Sequence, residues 1–229
     1  MAPPLVLDID GTLTRADERR RPPAIDPALM TPLRDWDAPL VIATGKSFPF
    51  PVALSQFMGR EPLVVAETGG IALARGSIKR FVAPTCIEAV TEELRVNGYL
   101  DGTTFDDINY WRETELAVPR NAPLDTVRSI ADAHGLTVLD SGYAYHLKDP
   151  SVSKGRALEW VAETLEIPLS SFIAVGDSAN DVSMFERVGK SFALANADQD
   201  AKAAAKVVTS EGHASGTLEI LTNMIDYEG

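Results

Sequence analysis

Hydrophobic positions along this chain gather in short unbroken runs. Leu5–Ile9, Leu40–Ala43, Leu63–Ala66, Phe172–Val175 and Phe192–Leu194 are such runs, with Val207–Thr209 as a weaker sixth. Continuous runs of this length, without alternation, predict strands buried on both faces, as in a parallel sheet. Helical patterns lie between them. Asp26–Trp36 opens with Asp-Pro, an N-cap followed by proline at the first helical position. Pro51–Met58 stops just before Gly59, and Ser153–Leu165 has Ser153 as cap with Ala157, Leu158, Val161 and Leu165 at helical spacing. Asn180–Val188 and Thr217–Ile225 complete the set. Strands alternating with helices predict an α/β fold, a Rossmann-like doubly wound parallel sheet.

The middle breaks the rhythm. From Pro84 to about Val152 the pattern reads helix (Thr85–Val96), strands (roughly Phe105–Val118), helix (Leu124–His134), then strands at Leu136–Leu139 and Tyr143–Leu147. Ile108, Tyr110 and Arg112 alternate with Asn109, Trp111 and Glu113, which predicts an antiparallel sheet with one wet face. Residues 84–152 are therefore expected to be a smaller α+β cap inserted in a core made of 1–83 and 153–229. Arg75-Gly76-Ser77 predicts a hairpin turn joining Ile71–Ala74 to Ile78–Val82. The run Arg19-Arg20-Arg21 reads as a solvated loop, and Trp36, Trp111 and Trp160 as core or interface residues.

Composition narrows the function classes. The 229 residues are 45% hydrophobic and 24% charged, enough apolar material for a sizeable core. With 21 basic against 33 acidic residues the formal charge is −12, which argues against a nucleic-acid binder. Arginine outnumbers lysine 14 to 7 and aspartate outnumbers glutamate 18 to 15, a balance that suits a salt-rich cytoplasm. The single cysteine, Cys86, allows no intramolecular disulfide, and no Cys/His set has zinc spacing. The start MAPPLVLDIDGTL has no basic region, and no apolar run approaches the roughly 18 residues of a membrane span. A cytoplasmic protein with no nucleic-acid or membrane partner is expected.

Candidate chemistry follows the strands. The first ends in Asp8-Ile9-Asp10-Gly11-Thr12-Leu13, and ligands of open α/β sheets bind outside the carboxyl ends of strands. Two such close carboxylates repel unless a cation or proton intervenes, and hard oxygen donors suit Mg²⁺; one can also serve as a nucleophile. A pair of turn-capping aspartates is the alternative. A second acidic set, Gly176-Asp177-Ser178-Ala179-Asn180-Asp181, follows the strand at 172–175, with Asp177 and Asp181 about one helical turn apart. An Asp/Ser helix cap accounts for part of that set but not all. Ala43-Thr44-Gly45-Lys46 offers a hydroxyl and backbone N–H groups to an anion. Lys154 begins a helix, where a cation is disfavoured and calls for an anionic partner.

These four elements, in this order, resemble the haloacid dehalogenase superfamily of phosphotransferases, and the resemblance covers the whole chain. It implies Asp8 as nucleophile and Asp10 as general acid/base. Thr44, Gly45, Lys154 and Asn180 fall to substrate phosphate, and Asp8, the Asp10 carbonyl, Asp177 and Asp181 to Mg²⁺, with Asp181 beside or within that shell. A cap between Thr44 and Lys154 is similar to the subfamily with an α/β cap at the second insertion point. Glu67-Thr68-Gly69-Gly70 resembles the Glu-Asn-Gly-Gly common there, with Thr68 as a departure. The short cap and the acidic, lysine-poor surface resemble the archaeal phosphoglycolate phosphatases, of halophilic type. The implied activity is Mg²⁺-dependent hydrolysis of a small phosphorylated metabolite, 2-phosphoglycolate, by a monomer or homodimer. A sugar-phosphate or mannosyl-phosphoglycerate phosphatase, a phosphomutase, and a non-catalytic phosphometabolite binder are the rivals. Within the cap, Arg112, His146 and Lys148 are candidates to meet a substrate carboxylate.

Overall fold

The computed structural model describes residues 2–15, 24–83, 87–100, 109–142 and 144–226. Cys86, the Arg19–Arg21 run, Tyr143 and residues 105–108 of the expected cap strand lie outside them.

The apolar runs become strands β1 (Leu5–Leu7), β2 (Leu40–Ala43), β3 (Leu63–Ala66), β9 (Ile173–Gly176), β10 (Lys190–Ala193) and β11 (Val207–Val208). Between β3 and β9 come the hairpin β4 (Ile71–Ala74) and β5 (Ser77–Arg80), and the cap strands β6 (Glu115–Pro119), β7 (Thr137–Asp140) and β8 (Ala144–Lys148). The core sheet has the order β11-β10-β9-β1-β2-β3-β4-β5, parallel except for the antiparallel hairpin at one end. Side chains alternate across it. Val6, Val41 and Ala174 enter one core with Ala157, Leu158 and Val161, while Leu5, Leu7, Leu40, Ile42 and Val175 enter the opposite one with Leu29, Leu33 and Leu221. Two buried faces are why the runs show no polar alternation.

Helices α1 (Met30–Asp35), α2 (Pro49–Phe57), α5 (Lys154–Leu165), α6 (Val182–Phe185), α7 (Gln199–Ala204) and α8 (His213–Asp226) cover the core; α3 (Glu88–Val96) and α4 (Leu124–Ala133) belong to the cap. Asp26 caps a 3-10 turn ahead of α1, and Ser153 caps α5 by accepting from the Arg156 N–H. The helix expected at Asn180–Val188 is shorter. A capping box between Ser178 and Asp181 opens a 3-10 turn, and only Val182–Phe185 is α-helical. Among the described residues no helix is long and apolar enough to cross a membrane.

From β1 the chain winds outward through β2 and β3; after the cap it returns to the opposite side of β1 through β9 and β10. The order reverses between β1 and β9, and a crevice opens at their carboxyl ends, where both aspartate motifs stand.

The cap sheet runs β6-β8-β7, antiparallel throughout. Leu116, Val118, Tyr145 and Leu147 pack on Val90 and Leu94 of α3 and on Val127 and Ile130 of α4. The opposite face carries Glu115, Ala117, His146 and Lys148, all buried, so the wet face expected from the sequence is polar but not wet. The strand expected at Phe105–Val118 is also corrected. Residues 109–114 are not strand, and Tyr110 and Trp111 are exposed, stacked edge-to-face at 5.1 Å. The physical reason is Asn109. Its amide oxygen accepts from the Ala117 N–H and its amide nitrogen donates to the Ala117 carbonyl, at 2.8 and 2.7 Å, taking the place of a neighbouring strand on β6.

Core and cap meet at the turn Glu67–Gly69, where three successive residues have φ of 51°, 51° and 98°. Glu67 anchors this strained turn. Its Oε2 accepts from the N–H groups of Glu113 and Thr114 and from the Thr114 hydroxyl, at 2.7–2.9 Å. A Cβ on Gly69 would lie 2.1 Å from the Ser153 carbonyl oxygen, a backbone atom that cannot swing away. Gly69→Ala should therefore cost on the order of 3 kcal/mol, read as a lowered urea midpoint with an unchanged denaturant slope.

Candidate active site

Asp8 directly follows β1, and its backbone N–H donates to Val175 on β9 at 3.1 Å, so the ends of the two central strands are tied together. Beneath them lies Lys154, at the first turn of α5 and without solvent exposure. Its ammonium donates to Asp8 Oδ1 at 2.9 Å, Asn180 Oδ1 at 2.8 Å and Asp181 Oδ1 at 2.7 Å. Three acceptors use all three ammonium hydrogens. Burial pulls the Lys154 pKa down, but Asp181 and Asp8 outweigh it and hold the group well above the usual lysine range.

Asp181 is the second fixed point. Besides Lys154 it accepts, through Oδ2, the N–H groups of Asp177 and Ser178 at 2.9 and 3.1 Å. It therefore caps the turn after β9 and reaches the buried ammonium with its other oxygen. Asp177 points to the cluster with its own supports: Thr12 Oγ1 donates to Oδ1 at 3.2 Å and Asn196 Nδ2 to Oδ2 at 3.1 Å. Gly11 is needed beside it, since a Cβ there would sit 2.0 Å from Asp177 Oδ2.

Asp8, Asp177 and Asp181 present carboxylate oxygens that all lie within 4.8 Å of one another. Burial raises the Asp8 pKa to about 7 despite Lys154, with Asp181 and Asp10 adding repulsion. Burial, then repulsion from Asp8 and Asp181, raises Asp177 to about 8. A cluster of this kind holds either protons or a cation.

Asp10 stands apart. Its carboxylate pairs with Lys46 Nζ at 3.0 Å and is about half exposed. Lys46 thus joins the site from the Thr44–Lys46 loop, where the Thr44 hydroxyl accepts from the Lys46 N–H at 3.1 Å and Thr44 N–H donates to Val65 at 2.8 Å. Proximity to a strand end is the signal in the sequence for Lys46 and for Asn196, which follows β10.

The cap cations gather around a buried carboxylate. Arg112 pairs with Glu115, His146 Nδ1 lies 3.0 Å from the same Glu115 oxygen, and Lys148 donates to the Val152 carbonyl at 2.6 Å. Glu115 is the residue that sequence reasoning missed, hidden as one acidic position in an apolar strand. Burial pushes its pKa up, but His146 and Arg112 overcome this and bring it to about 2.

A family model described as haloacid dehalogenase-like hydrolase matches residues 100–221. The phosphoglycolate phosphatase of Halobacterium salinarum is 48% identical over 217 residues, covering 94% of each chain. That of Natronomonas pharaonis is 48% identical over 229 residues and 99% of each chain, and that of Archaeoglobus fulgidus 34% identical over 220 residues, 95% of this chain and 94% of its own. A solved Thermoplasma acidophilum structure superposes with a TM-score of 0.83 at 26% identity, covering 98% of this chain and 99% of its own. A haloacid dehalogenase-like hydrolase from Bacteroides thetaiotaomicron has the same fold, with a TM-score of 0.80 at 18% identity over 98% of this chain and all of its own.

The raised Asp177 pKa has a consequence for stability. A carboxyl raised from 3.8 to about 8 on folding contributes stability that is complete below 3.8 and lost as pH rises to about 8. In EDTA the parent should thus lose Tm steadily between pH 6 and pH 8.5. Asp177→Asn, which cannot ionise, should lose less over the same interval; equal slopes in thermal melts would show that the cluster does not repel as described.

Proposed function

Because the chain belongs to the haloacid dehalogenase-like hydrolase family, we propose that it hydrolyses 2-phosphoglycolate to glycolate and inorganic phosphate through a phosphorylated Asp8. The observation that carries this reading is the buried Lys154, which joins Asp8 after β1 to Asn180 and Asp181 after β9. A non-catalytic binder has no need for a carboxylate held at the strand end with a second one, Asp10, two residues on. The substrate is taken from the phosphoglycolate phosphatase relatives, and the acidic composition suits the halophilic archaea among them. A cytoplasmic setting accords with both.

The residues divide the work. Asp8 attacks phosphorus, a P–O bond forms to its carboxylate, and the bond to the glycolate oxygen breaks. Asp10 gives its proton to that departing oxygen. It then takes a proton from water, which attacks the phosphoaspartate, releases phosphate and restores Asp8. Thr44, Gly45 and Asn180 bind the phosphoryl oxygens, and Lys154 supplies positive charge behind the nucleophile. Lys46, paired with Asp10 at 3.0 Å, holds the acid at the mouth of the site.

The donor set fits Mg²⁺: hard carboxylate oxygens, crowded enough to be repulsive without a cation. Asp8, the Asp10 carbonyl and Asp177 would hold it. Asp181, whose oxygens already serve Lys154 and two backbone N–H groups, braces the set from behind. When bound, the ion neutralises charge on the transferring phosphoryl group. Residues 84–152 serve as a lid on the core formed by 1–83 and 153–229, joined by two crossing segments.

Asp8→Asn should lower steady-state phosphate release from phosphoglycolate by roughly three orders of magnitude or more, with the melting curve retained. EDTA should abolish parent activity and added Mg²⁺ restore it; full turnover by Asp8→Asn would remove the covalent route. Asp10→Asn should slow the first half-reaction far more for an alkyl phosphate than for an activated aryl phosphate. Single-turnover rates for the two esters check this, and equal losses would take the acid role from Asp10.

A further inference from the structure

The polar face of the cap sheet is buried against the core, and a buried charge persists only where its surroundings match it. Glu115 has no exposure, and the Arg112 side chain very little. Arg112 Nη1 pairs with Glu115 Oε1 and also donates to the Gly45 carbonyl at 2.8 Å, crossing from cap to core. His146 approaches the same residue: a Cβ on Gly45 would lie 3.6 Å from His146 Cε1. Arg112 and His146 thus converge on Gly45, between Thr44 and the lysine that holds Asp10.

Part of this cluster is left open among the described residues. Arg112 Nε and, in the same pair, Glu115 Oε2 are both buried and have no hydrogen-bond partner among the described residues. Burial disfavours the charged form of Lys148, against which Glu115 and Asp149 act, so the guanidinium of Arg112 is the fixed positive charge of this face. The open guanidinium N–H, on a side chain that already reaches Gly45, is a donor that a substrate anion can take.

We propose that Arg112 is a specificity-determining residue that reads a carboxylate on the substrate, positioned by Glu115 and flanked by His146. This rests on the reading of the chain as a phosphatase of a phosphorylated hydroxy acid. The core takes the phosphoryl group, and a two-carbon acid carries its carboxylate only a few ångströms further, toward Gly45 and the cap. On binding, the guanidinium exchanges a neutral carbonyl acceptor for a charged one, which makes the stronger hydrogen bond. Glu115 stays behind the guanidinium and keeps its plane fixed, so little side-chain freedom is lost when the anion arrives. Glu115 is a positioning residue and does not touch substrate.

The test compares kcat/KM for 2-phosphoglycolate with that for ethyl phosphate, which lacks the carboxylate, in the full-length protein with Mg²⁺. Arg112→Gln should lower the ratio by roughly tenfold or more, mainly through KM, and Arg112→Lys should recover part of it. Arg112→Gln leaves the buried Glu115 with His146 as its remaining close basic partner. The double variant Arg112→Gln/Glu115→Gln, which removes both charges, is therefore measured beside it and should show the same fall. Calorimetric binding of phosphoglycolate to Asp8→Asn, with and without Arg112→Gln, reads the contact without turnover, and Kd should weaken by a similar factor. A parent that prefers phosphoglycolate, with variants that keep its ratio and Kd, overturns the role of Arg112 alone. A parent with no preference overturns the substrate reading, and this inference with it.

Discussion

An ammonium group without access to water must have its charge matched by partners fixed around it, and Lys154 imposes that demand on three parts of the chain at once. The end of β1 supplies Asp8, the turn after β9 supplies Asn180 and Asp181, and α5 begins at the lysine itself. Loss of the ammonium would leave Asp8 and Asp181 as buried carboxylates without a compensating charge, the costly case for a buried ion pair. The reversal of strand order between β1 and β9 brings these segments together, and the ammonium fixes their spacing. Asp181 extends the constraint by gripping the N–H groups of Asp177 and Ser178, so the geometry of the acidic cluster follows from one cation.

The same region is where the protein accepts unfavourable electrostatics. Asp8 and Asp177 both have raised pKa values, first because they are buried and then because neighbouring carboxylates repel them, so the fold holds them where their charged forms are disfavoured. The parallel sheet, apolar on both faces, provides the stability that tolerates this. A comparable arrangement recurs at the junction with the cap. There Glu67 offsets the cost of a left-handed turn by accepting three hydrogen bonds from Glu113 and Thr114. Strain and repulsion are thus concentrated where parts must meet, and both are held by carboxylates with several donors.

The legible parts of the sequence were those set by local rules. Buried parallel strands announce themselves as apolar runs, Asp26 and Ser153 mark helix starts, and motifs at strand ends mark the crevice, so the core and Asp8, Asp177, Asp181 and Lys154 could be read directly. What escaped depends on contacts distant in sequence. Arg112, His146 and Lys148 were visible as cations, but that they surround a carboxylate follows from the pairing of Glu115 with Lys148 across β6 and β8. The alternation through residues 108–113 imitates a strand because Asn109 has the period of its neighbours; that its amide closes on Ala117 is a tertiary fact. Asn196 follows a strand end, but its bond to Asp177, 19 positions earlier, is a contact that no local rule marks.

The Asn109 clamp bears on how this protein behaves when crowded. A three-stranded sheet has two rims, and a rim with free N–H and C=O groups is a template on which another chain can add a strand. On β6 the Ala117 amide and carbonyl already face a side-chain amide that offers one acceptor and one donor and then ends. An incoming strand would have to displace that amide at the middle of β6, where register would otherwise be set. One asparagine thereby blocks this rim at its middle, and it guards the chain against growth into stacked β-structure.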